Sequence, residues 1–180
     1  MRPKVRDCCP PCGPNRVFIT EDYGKGGAMI EFDASFQPRI AWEAPDLSCQ
    51  FQTPIYHEGH LYGFGGTDGL LLCYDVQTGG LRWSETFIRL TVPWKDRDLA
   101  VNFGRGNLIH VDGRFLCLGE NGTLAWMDLS PYSSPRVTSA TQLFYAPETW
   151  AGPVISNGRL YVNQSNLGSR LICYPFKPSP

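Results

Sequence analysis

The sequence predicts an all-β chain of short antiparallel strands, and three observations carry that expectation. Nineteen glycines and fifteen prolines in 180 residues, with 13% aromatics, favour many turns and short strands over long helices. No segment sustains a helical apolar period between capping residues. One phrase is also written three times: "EGHLYGF" (Glu58–Phe64), "DGRFLCL" (Asp112–Leu118) and "NGRLYVN" (Asn157–Asn163). Each sets a polar residue and a glycine at a tight turn and then sends out a strand.

The elements follow in order from that phrase. "NRVFIT" (Asn15–Thr20) is a weaker fourth copy without the glycine, and the anchors Asn15, Gly59, Gly113 and Gly158 stand 44, 54 and 45 residues apart. Before three of them comes an incoming strand: "TPIYH" (Thr53–His57), "NLIHV" (Asn107–Val111) and "GPVIS" (Gly152–Ser156). After each anchor comes a third strand, "AMIEFD", "LLCYD", "LAWMD" and "RLICY". A fourth is "LRWSE" in the second copy, with "RIAWEA" and "TQLFYA" as its counterparts. Four short strands in a period of roughly 40 to 50 residues is the arithmetic of a β-propeller blade. A β-sandwich has short strands too, but it does not repeat one phrase at that interval. The blades are expected at 16–43, 51–86, 104–146 and 150–176, behind a Pro/Cys-rich leader at 1–15 and ahead of a tail at 177–180. The first blade lacks its first strand, because "DCCPPCGPN" is too rich in proline to pair. The last lacks its fourth. About four blades, the outer two incomplete, are therefore expected to form an open arc.

The spacing Cys73-x-Asp75-x-x-Thr78-Gly79-x-x-x-Trp83 resembles the tryptophan-docking motif of the pyrroloquinoline-quinone-like (PQQ-like) propeller repeat, with Cys73 in place of the usual alanine. "FQTPIYHEGHLYGF", "NGTLAWMDLS" and "WAGPVISNGRLYV" resemble blade phrases of the same family, and the likeness runs from about Arg16 to Phe176. That family includes outer-membrane-protein assembly lipoproteins and quinoprotein dehydrogenases. The resemblance implies a ring of seven or eight blades, of which this chain looks like the C-terminal part. It implies an indole from each blade packed flat on backbone of the next. In that scheme Trp83 and Trp42 dock, Asp75 and Thr78 satisfy turn amides, and Gly79 takes a positive φ. The preceding blade keeps Asp33 and Trp42 without Thr-Gly, and the following one keeps Asp128 ahead of "LSPYSSP". The resemblance further implies a periplasmic or cell-envelope location and a scaffold that presents a protein- or ligand-binding face. It also offers an alternative, a fragment of a PQQ- and calcium-dependent dehydrogenase.

Composition narrows the partners. Sixteen basic residues against seventeen acidic give nothing that calls for nucleic acid, and no apolar run reaches the length of a membrane helix. The expected partner is a protein or the missing blades. The start has basic residues but no apolar stretch behind them, so it is not read as a secretory signal. Cys8 and Cys9 are adjacent, like the disulfide over a quinone, but they lie in the leader, and Cys9-Pro-Pro-Cys12 has no helix to lower a thiol pKa. Cys49, Cys73, Cys117 and Cys173 read as buried apolar residues. His57, His60 and His110 share no metal-site spacing and read as surface turn or strand residues. Asn121-Gly-Thr reads as a type I′ turn. The 54-residue interval holds an insertion, "RLTVPWKDRDLAVNF" (Arg89–Phe103), read as an excursion on one propeller face with Trp94 beneath it. No cofactor, metal or catalytic residue is expected.

Overall fold

A computed structural model describes residues 12–66, 69–85, 89–166 and 168–176. Cys8, Cys9, most of the leader and the tail lie outside the described residues. The described chain folds into four antiparallel meanders and one hairpin. The first sheet holds β1 (Arg16–Glu21), β2 (Gly26–Phe32) and β3 (Pro38–Ala44). The second holds β4 (Ile55–His57), β5 (His60–Gly65), β6 (Leu70–Asp75) and β7 (Leu81–Glu85). Next comes a two-stranded hairpin of β8 (Leu90–Trp94) and β9 (Arg97–Val101). The third sheet holds β10 (Asn107–Val111), β11 (Arg114–Leu118), β12 (Thr123–Ser130) and β13 (Ser133–Gln142). The fourth holds β14 (Val154–Ser156), β15 (Arg159–Gln164) and β16 (Arg170–Pro175). The two outer sheets thus have three strands each and the two inner ones four.

The repeated phrase makes the turns. Glu58-Gly59, Asp112-Gly113 and Asn157-Gly158 each place both residues at positive φ, 46° and 80°, 49° and 78°, 50° and 68°. That is the type I′ geometry whose twist matches the strands it joins. Asn121-Gly122 departs from the expected form. Gly122 alone has a positive φ, and its N–H donates to Gly119, which makes a wider turn of the type I plus left-handed glycine kind.

Alternation along the second strand of each sheet decides how the sheets stack. In β5, Leu61 faces the first sheet, where Phe18 and Met29 lie, while Tyr62 and Phe64 face the third. In β11, Phe115 and Cys117 turn back toward the second sheet, and Leu116 and Leu118 meet Leu160 and Val162 of the fourth. Both faces of an inner sheet are therefore apolar, and neither sheet sheds water without a neighbour on each side. This is a propeller arc, with three face-to-face junctions between four sheets. The outward face of the first sheet carries the cross-strand row Val17, Ile30 and Ile40, with Ile40 59% exposed. The outward face of the fourth carries Val154, Tyr161 and Cys173, with Leu171 beside them 74% exposed.

Three further expectations are corrected. The fourth strand of the third sheet is not "TQLFYA" but Ser133–Gln142, of which only Thr141 and Gln142 belong to that phrase. "LSPYSSP" is a tight hairpin: Ser130 pairs Ser133 around Pro131 and Tyr132, and a bulge beyond Asp128 absorbs Pro135. Cys173 is exposed rather than buried, since it faces outward from the last sheet. His60 is buried rather than a surface turn residue, with its Nδ1 within 2.9 Å of the Glu58 carbonyl.

Candidate functional site: blade junctions and the hairpin face

The five residues expected to dock one blade on another occupy two neighbouring junctions. Trp42 in β3 reaches the turn after β6: its indole Nε1 donates to the Val76 carbonyl at 3.0 Å, and its ring stacks on Tyr74 at 6.2 Å and 7°. Gly79 lies flat beneath it, with φ +71°. A Cβ built there would sit 2.6 Å from Trp42 Cγ, so only glycine fits at both counts. Asp75 holds the turn in shape, its Oδ1 accepting from the N–H groups of Gln77 and Thr78 at 2.9 Å each. Its Oδ2 accepts from Arg82, and the Thr78 hydroxyl accepts from the Gly80 N–H. Trp83 in β7 makes the next contact of the same kind, donating to the Ser130 carbonyl at 2.7 Å. No indole from β13 repeats this at the third junction. Trp126 in β12 packs there instead, 5.9 Å from Phe176.

Partial burial would raise the Asp75 carboxyl, but the N–H and hydroxyl of Thr78, the Arg82 guanidinium and the Gln77 N–H outweigh it. They pull it from 3.8 down to about 2. A carboxylate depressed in the fold contributes stability above its unfolded value, lost as pH falls through the folded one. Acid titration is therefore expected to remove part of the stability between about pH 4 and pH 2, and Asp75→Asn to flatten that limb in urea melts taken across the window. Cys73 is the opposite case: burial, more than any neighbouring charge, pushes its thiol up to about 12, which leaves it inert as a nucleophile.

The structure also joins residues that spacing had kept apart. His57 and His110, 53 residues apart in sequence, pack against each other across the second junction, with ring centroids 4.1 Å apart and the planes tilted by 31°. Burial and the neighbouring His57 lower the His110 pKa, against Glu58 and Asp112. Among the described residues no three His, Cys, Asp or Glu side chains gather in metal-ligand geometry. No helix long and apolar enough to cross a membrane occurs among the described residues either.

One edge of the sheets gathers more than turns. There the β5–β6 and β11–β12 turns bond to the segments that enter each blade. The Gly66 N–H donates to Ser48, the Glu120 N–H to Phe103, and the Thr149 N–H to Glu120 at 2.8 Å. Phe51, Arg105 and Trp150 occupy matching places on this edge, each eight residues before its turn glycine. Phe51 and Trp150 stack at 4.1 Å and 15°, which ties the second blade's entry to the fourth's. Arg105 pairs with Glu120 at 3.4 Å. Among the described residues the buried Nε of Arg105, Nε1 of Trp150 and Oε1 of Gln50 and Gln52 find no hydrogen-bond partner, a setting that ordered water commonly fills.

The insertion stands on this same edge as the β8–β9 hairpin, with β8 lying alongside β13. Its tip is charged, and Lys95 lies 5.6 Å from the centroid of the half-buried Trp94 ring. An open groove of about 360 Å³ lies at its base, lined by Arg89, Ala100, Val101, Asn102, Asn121 and Tyr145. Sequence reasoning singled out the insertion, and missed Phe51, Arg105 and Tyr145. The shared offset from the turn glycine is the signal that finds the first two.

Fold and junctions together define a β-propeller of four-stranded blades, seen as an arc of four. Comparison with known proteins agrees at the level of the fold. No family model matches the chain, and no curated protein does. Among solved structures, the chain is similar to the crystal structure of BamB from Moraxella catarrhalis, at a TM-score of 0.54 and 13% identity. The alignment covers 91% of this chain and 41% of that one, so the chain spans less than half the length of its structural neighbour.

Proposed function

We propose that this chain is a non-catalytic propeller scaffold of the cell envelope that binds a protein partner through the edge bearing the β8–β9 hairpin. The observation that carries the reading is the hairpin itself. The repeat closes its blades elsewhere in 44 or 45 residues, and among the described residues only the 54-residue interval adds a two-stranded element, which stands on the edge where the entry segments gather. Rigid strands beneath added loops are a common way to present a binding surface. Indole docking by Trp42 and Trp83, with Asp75, Thr78 and Gly79 shaping the seat for Trp42, keeps that surface in place. The apolar outward faces of the first and fourth sheets support a second element of the proposal: further blades cover them, in the same protein or another, as part of a larger ring. The envelope location rests on the sequence resemblance to PQQ-like propellers and on the BamB-like fold.

The test is photo-crosslinking in the native host. A photoreactive residue at Ala100, on the hairpin edge, is expected to capture one discrete protein. The same residue at Leu81, at the opposite edge, is expected not to. Equal capture from both positions, or none from Ala100, overturns the reading.

A further inference from the structure

We propose that the groove at the foot of the β8–β9 hairpin takes an extended peptide segment of a protein partner, laid against β9 as an added strand. The inference rests on the hairpin-face reading above and names the site and the form of what it binds.

Four of the six groove residues, Arg89, Ala100, Val101 and Asn102, belong to the insertion, so the insertion builds the groove. The other two come from the β11–β12 turn (Asn121) and the chain beyond β13 (Tyr145). Asn102 and Asn121 make no side-chain hydrogen bond among the described residues. A free primary amide offers both a donor and an acceptor, the complement of a peptide group. Tyr145, 55% exposed, supplies an aromatic wall, and Val101, 8% exposed, an apolar floor.

The strand edges favour a peptide over other ligands. Among the described residues β9 pairs with β8 on one side and with no strand on the other, so its outer N–H and C=O groups are open to strand addition. The β8 side is closed to that role, because Pro93 lacks an N–H and the strand lies along β13. Within β9, Arg97 and Asp98 put charge on the half near the tip, where it discourages indiscriminate pairing. The uncharged stretch from Leu99 to Asn102 is the half that reaches the groove.

The test is selection of a phage-displayed random nine-residue peptide library on the intact chain, with the Asn102→Ala/Asn121→Ala/Tyr145→Ala variant as the counter-target. Among the described residues none of the three side chains makes a hydrogen bond, and an unchanged thermal melt checks that the variant is folded. Peptides enriched on the native chain are expected to bind the variant at least about tenfold more weakly, as loss of one or two good hydrogen bonds implies. They are also expected to shift the amide resonances of Ala100–Asn102. No enrichment, equal binding to the variant, or resonance shifts elsewhere overturn the inference. So does a variant-sensitive response to maltotriose or chitotriose in place of peptide, which would make the groove a saccharide site. If Ala100 captures a protein in the crosslinking experiment and the triple variant captures it equally well, the groove inference falls while the hairpin-face reading stands. Loss of capture from Ala100 in the native chain removes the face reading itself.

Discussion

Trp83→Ala is expected to cost about 3 kcal/mol of folding stability, at the low end for loss of a large aromatic because the ring is only partly buried. Two contributions add. The indole fills the second junction next to Tyr62, at 6.1 Å, and its N–H is the partner of the Ser130 carbonyl at 2.7 Å. Trp83→Phe separates them. It keeps most of the apolar contact and removes the hydrogen bond, so about 1 kcal/mol is expected. Urea unfolding read by far-ultraviolet dichroism checks both. If Trp83→Phe costs as much as Trp83→Ala, the bond outweighs the packing. If neither costs more than a few tenths, Trp83 is not what joins these blades.

Gly79→Val is expected to cost about 3 kcal/mol, through strain at φ +71° and collision with the Trp42 ring. Gly59 is the control. Its φ is +80°, yet a Cβ there meets nothing within 4 Å, so Gly59→Ala isolates the backbone strain at about 1 kcal/mol. Gly79→Ala, with the same strain plus a Cβ 2.6 Å from Trp42 Cγ, is expected to cost about 2 kcal/mol. Equal penalties at the two glycines would show that Trp42 moves aside freely and that the indole is not seated on the turn. Trp42→Ala in the Gly79→Ala background should then recover nothing; if the ring is seated, it should relieve the clash and the two losses should fall short of additivity.

Much of the arc is legible in the chain because the turn chemistry is local. Asp112-Gly113 or Asn157-Gly158 fixes a hairpin whatever surrounds it, and the interval between such pairs counts the blades. What fails is what depends on position within a sheet. Ser133–Gln142 reads as a loop because it opens with Pro135 among serines, yet as the outermost strand it needs its N–H groups on one side only, and a bulge takes up the proline. The β8–β9 hairpin is obscured by Pro93 and by Lys95-Asp96-Arg97-Asp98, whose charges mask the alternation of a strand. The candidate site is less legible still. Asn102, Asn121 and Tyr145 lie 19 and 24 residues apart on three connections, and only tertiary bonds of the β11–β12 turn, from the Glu120 N–H to Phe103 and from the Leu143 N–H to Gly122, bring them to one groove. The His57–His110 pair is hidden for the same reason, since nothing local to either marks the other blade as its neighbour.

The indole N–H protons offer the most direct test that the blades are joined through their tryptophans. Hydrogen exchange followed by two-dimensional NMR resolves the five side chains. The Trp42 and Trp83 protons, held by Val76 and Ser130, are expected to exchange only as fast as the junctions open, orders of magnitude behind the half-buried Trp94 on the hairpin. Exchange of Trp42 and Trp83 at the rate of Trp94 would contradict the account.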